Sequence, residues 1–65
     1  MPWQSKCQAL IGQYIQPPNH ALKEIEGFTS LPELKHAALT STNRLSCTFA
    51  GYAIVFLERI FESCQ

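Results

Sequence analysis

Sixty-five residues carry five basic and five acidic side chains, a formal net charge of zero, and 46% of them are hydrophobic. That length makes one domain, residues 1–65, which buries only about 60% of the surface its unfolded chain exposes. The charges argue against a nucleic-acid surface: Lys6, Lys23, Lys35, Arg44 and Arg59 stand singly, not clustered against phosphates, save where dimer symmetry would gather them.

The first predicted element is a helix over residues 2–16. Pro2 suits its first turn, where a missing N–H is no loss. Trp3, Cys7, Leu10, Ile11, Tyr14 and Ile15 make one apolar stripe, with Gln4, Ser5, Gln8 and Gln13 largely off it. Pro17 ends the helix because the residue before a proline is pushed out of helical geometry. Pro17-Pro18-Asn19 forms a stiff connector, and Asn19 is placed to cap a short second helix over residues 20–26. Ala21, Leu22 and Ile25 face inward there, and Lys23, Glu24 and Glu26 outward. Gly27 fits the C-terminal cap, and Phe28 tucks into the core from the turn that follows.

The third element opens on Ser30-Leu31-Pro32-Glu33. Ser30 caps the helix, and Glu33 completes a capping box while its charge suits the helix dipole. Apolar or small residues then recur at Leu34, Ala38, Ser41, Leu45, Phe49, Tyr52, Phe56 and Ile60, in steps of three and four. Thr40-Ser41-Thr42-Asn43 interrupts this run with short polar and β-branched residues. It reads either as a loop, with Asn43 capping a separate last helix, or as a weak patch within one helix. The stripe keeps its phase from Leu34 to Leu45, which favours one helix of about 30 residues, roughly 45 Å long.

Residues 45–61 hold the candidate functional surface. A helix apolar nearly all round is buried on most sides. The expected interface residues are Leu45, Phe49, Tyr52, Ala53, Phe56 and Ile60. Gly51, with Cys47, Ala50 and Ala53 nearby, is the expected point of close helix approach. The uncharged run 45–57 would span roughly 20 Å as a helix, short of the ~30 Å hydrocarbon core of a membrane.

Chemistry-bearing residues are sparse. Cys7, Cys47 and Cys64 are too scattered for a disulfide framework and are expected as free thiols. His20 and His36 lack the companions a metal site needs, and no aspartate occurs anywhere. Glu24 and Glu26 diverge on a helix, and Glu58 and Glu62 form a solvated face, so no carboxylate dyad is expected. Residues 19–38 resemble a helix-turn-helix only in outline. Lys23 falls where a small buried residue is wanted, Glu33 falls at a core position, and Leu31-Pro32-Glu33 offers little to bases or phosphates.

The expected fold is all-α: a small bundle of two short helices on one long C-terminal helix, with a break near Thr42 as the alternative, completed by a homodimer. Its expected core is Trp3, Leu10, Ile11, Tyr14, Leu22, Ile25, Phe28, Leu34, Leu45, Phe49, Tyr52, Phe56 and Ile60. The expected function is non-enzymatic, a regulator or adaptor that binds a protein partner through an apolar helical face, in the cytoplasm and without cofactor, metal, nucleic acid or membrane. A dimeric DNA-binding regulator and a membrane-associated small protein are the alternatives.

Overall fold

The computed structural model describes residues 2–40, 42, 44–49 and 51–65. Among the described residues five α-helices follow one another: α1 (Trp3–Tyr14), α2 (Asn19–Glu24), α3 (Leu31–Leu39), α4 (Arg44–Phe49) and α5 (Ile54–Ser63). A 3₁₀ turn, Ile25–Gly27, extends α2. No strand occurs among the described residues.

The first helix ends at Tyr14, two residues short of the expected residue 16. Ile15 is already extended (φ −130°, ψ 143°), and its N–H donates to the Ile11 carbonyl at 2.7 Å. This lets the Ile15 side chain turn into the core, where it is buried. The connector delivers α2 a residue early as well. Pro18 adopts the extended geometry of a cap (φ −59°, ψ 150°), so Asn19 is the first helical residue and makes no capping bond. Gly27 closes the 3₁₀ turn without a positive φ, so no left-handed cap forms there. Two glutamines of α1 stabilise this segment from the side. The Gln4 amide donates to the Phe28 carbonyl at 3.1 Å, and the Gln8 amide to the Leu22 carbonyl at 2.7 Å. Both carbonyls lie where the helix runs out of its own donors.

Ser30 caps α3 as the sequence predicts: its hydroxyl accepts from the Glu33 N–H at 3.4 Å. The reciprocal half of the box is replaced. The Glu33 carboxylate accepts from the Thr29 hydroxyl at 2.7 Å.

The single long C-terminal helix is not formed. Residues 31–63 fold as three helices with breaks after Leu39 and after Phe49. Thr40 leaves helical geometry (φ −91°, ψ 126°) while its hydroxyl donates to the His36 carbonyl at 2.6 Å. This is the competition for backbone acceptors by which short polar side chains weaken helices. Ser41 and Asn43 lie outside the described residues, so the expected Asn43 cap is not described. The second break spans Gly51 to Ala53. The Tyr52 N–H donates to the Phe49 carbonyl at 3.0 Å, and Ala53 is extended (φ −65°, ψ 137°) before α5 starts. Glycine is the weakest helix former after proline, which suits this place. Size decides the matter too: a 30-residue helix runs roughly 45 Å, whereas the longest axis of the molecule is 28 Å.

Folding back lets the short helices share one core. α1 packs on α5 and on the 3₁₀ turn, α3 packs on α4 and α5, and α2 packs on α4. Ile11, Ile25, Leu34, Leu45, Phe49 and Phe61 are almost wholly enclosed. Trp3, Leu10, Leu22 and Phe28 pack against this centre half-buried. Three residues expected in the core, Tyr14, Tyr52 and Phe56, are exposed instead. Their places are taken by Ile15, Ala21, Leu31, Ala38, Leu57 and Phe61.

The expectation of free thiols is corrected at two of the three cysteines. Cys7 of α1 and Cys64 at the end of α5 form a disulfide, with Cα atoms 4.8 Å apart across a sequence separation of 57. Both are fully buried. Spacing along a chain gives no hint of such a pair, because it depends on α5 running back along α1. Cys47 is free and exposed.

Candidate functional site

α5 explains how the apolar surface arises. Its first turn, Ile54-Val55-Phe56-Leu57, is apolar at four successive positions. Successive residues of a helix point about 100° apart, so four in a row cannot all face one core. Leu57 takes the buried side and continues through Ile60, Phe61 and Cys64. Ile54 and Phe56 flank the buried side, and Val55 points away from it. The later turns carry Glu58, Arg59 and Glu62 on the outer side. The result is an apolar collar round the start of α5.

Neighbouring elements enlarge the collar. Tyr14, at the end of α1, meets Phe56 edge-on with ring centroids 6.1 Å apart. Tyr52, from the break before α5, stacks on Phe56 at 6.3 Å with an interplanar angle of 26°. Tyr14, Tyr52, Ile54, Val55 and Phe56 are between 37% and 66% exposed, and they are the large exposed hydrophobic side chains among the described residues. Scattered apolar side chains are ordinary on a surface, but five joined into one patch make a candidate contact site.

A groove lies on each side of the collar. One has a volume of about 250 Å³ and is lined by Leu39, Cys47, Phe49, Tyr52, Ile54 and Leu57, among others. The second, also about 250 Å³, lies between Leu10, Tyr14, Phe56, Arg59, Ile60 and Ser63.

The expected interface residues therefore divide. Leu45, Phe49 and Ile60 are buried in the chain's own core, and Phe49 and Ile60 also form part of the groove walls. Tyr52 and Phe56 are exposed and stacked together. Ala53 and Gly51 lie exposed in the break between α4 and α5. Gly51 is not a point of close helix approach within this chain, because a Cβ built there would meet nothing within 4 Å. Ala50 lies outside the described residues. Ile54, Val55 and Tyr14 were missed as surface residues. Ile54-Val55-Phe56-Leu57 is the signal that finds the first two, since no helix turn buries all four.

The polar surface gathers little. Arg44 pairs with Glu24 at 3.1 Å, an exposed bridge between α4 and α2. Among the described residues no three His, Cys, Asp or Glu side chains come together to hold a metal ion. No described helix is long and apolar enough to cross a membrane. No protein-family model matches the chain, and no curated protein and no solved structure matches it either.

Proposed function

We propose that this chain is a non-enzymatic protein–protein interaction module that works as a homodimer, with the collar as its contact surface. The observation that carries this reading is the joined patch of Tyr14, Tyr52, Ile54, Val55 and Phe56. A second copy is favoured as the occupant by shape. Ile54 and Val55 project, and a groove lies on either side of them. A two-fold pair can set the projecting side chains of each copy into a groove of the other, which is the self-complementarity an isologous contact needs. Charge agrees: the collar holds no ionised group, and a net charge of zero puts no long-range repulsion between copies.

The cytoplasmic placement read from the sequence belongs to the same proposal and carries a consequence. Cytosolic thiol systems hold cysteine pairs reduced, so Cys7 and Cys64 would there be dithiols for most of the time.

Dilution of isotope-labelled, oxidised protein tests the contact surface. Amide signals of Tyr14, Tyr52 and residues 54–56 are expected to shift between high and low concentration, while those of α2 stay still. Concentration-dependent shifts confined to α2 or α3, or none anywhere, would contradict the reading.

A further inference from the structure

We propose that the Cys7–Cys64 disulfide is a redox switch that sets whether the collar is assembled. The inference concerns regulation of the contact surface described above and rests on that reading for its consequence, though not for its test. The geometry behind it is the antiparallel pairing of α1 with α5. At one end of this pair Tyr14 meets Phe56. At the other, Cys7 is bonded to Cys64, and the Lys6 ammonium donates to the Gln65 carbonyl at 3.0 Å. The collar draws Tyr14 from α1 and Ile54, Val55 and Phe56 from α5. Tyr14 joins the patch of residues 52–56 only while the two helices stay paired, and the disulfide is the covalent tie that keeps them so.

The chemistry needs a dithiol reductant, either a small dithiol or a dithiol-disulfide exchange protein. One thiolate of the reductant attacks a sulfur of the pair and displaces the other cysteine as a thiolate, which takes up a proton. The second thiol of the reductant then resolves the mixed disulfide. One electron pair moves: the reductant ends as a disulfide, and Cys7 and Cys64 end as two thiols. Both cysteines are fully buried, so the last turn of α5 must open first. That turn is held by the Cys64 N–H on the Phe61 carbonyl at 3.2 Å, the Gln65 N–H on the Glu62 carbonyl at 3.4 Å and the exposed Lys6 contact. Once reduced, α5 is held on α1 and α3 by packing and by the exposed Lys6–Gln65 hydrogen bond.

The test uses the full chain with Cys47→Ser, so that one pairing only is open to it. Thiol titration in denaturant and amide hydrogen exchange of residues 57–63 are followed with and without dithiothreitol. Air-oxidised protein is expected to show no thiol and slow exchange in α5. Reduced protein is expected to show two thiols and at least tenfold faster exchange there, whether α5 opens alone or the whole chain loosens. Cys64→Ser in the same chain should show one thiol and the fast α5 exchange of the reduced protein in both buffers. Unchanged α5 protection with both thiols titrated would overturn the switch, and so would two thiols in the air-oxidised protein. Repeating the exchange on Cys47→Ser/Val55→Glu separates the two readings. If that chain associates like its parent when oxidised, the contact surface is wrong, while the exchange result still decides the switch.

Discussion

Phe61 shows most directly how one residue carries this fold. It has no exposed surface and lies where α5 meets the rest of the core. Truncation to alanine removes a buried ring and leaves a cavity, which costs about 3–5 kcal/mol. Urea denaturation of oxidised Phe61→Ala should show a loss of that size; a loss below about 1 kcal/mol would place Phe61 outside the core. Gly51 makes the opposite case. Its φ is not positive, and a methyl group there meets nothing. Gly51→Ala should therefore stabilise by roughly 0.5 kcal/mol through the unfolded chain, in contrast to the damage expected if a helix lay against it. Ser30→Ala should cost about 1 kcal/mol by removing the α3 cap. Ser30 was legible because a cap is a local device: the hydroxyl, the N–H and the spacing all fall within four residues.

Among the elements, the residues that were misplaced follow one physical cause. Periodicity records which positions share a face, but not how many helices carry that face. The stripe from Leu34 to Ile60 keeps its phase through both breaks, so it reads as one rod. Leu34, Ala38, Leu45, Phe49 and Ile60 are indeed all buried, yet on three helices folded round one centre. Tyr52 and Phe56 fall on the same stripe and are exposed. Tyr52 lies within the turn at Gly51 to Ala53 that resets the helix direction, and Phe56 follows it. Once the break is known, the sequence does show the collar, because Ile54-Val55-Phe56-Leu57 exceeds what one side of a helix can bury. The extra turn of polar competition at Thr40 and the lone glycine were both visible, but their strength against the continuous pattern is set by tertiary packing. Helix class was legible throughout; helix number was not.

For the molecule as a whole, the deciding feature is closure. A chain this short has a stability of the order of 3–10 kcal/mol at the usual yield per residue. A disulfide spanning 57 residues contributes about 4 kcal/mol by restricting the unfolded chain. The bond is therefore a large share of the total, and loss of it should lower the urea midpoint of the Cys47→Ser chain steeply. The same closure brings the two ends of α1 and α5 into register, and so builds the collar from residues 14 and 52–56. No reading along the chain can find this, since Cys7 and Cys64 become neighbours only after every helix between them is placed.

Solution mass by light scattering, with size exclusion and in oxidising buffer, tests the central claim that the collar is where a second copy docks. The oxidised chain is expected at twice its 7.3 kDa monomer mass, and Val55→Glu at the monomer mass with its helical signal unchanged. A wild-type chain that stays at monomer mass to millimolar concentration would contradict the account, as would a Val55→Glu chain that remains a dimer.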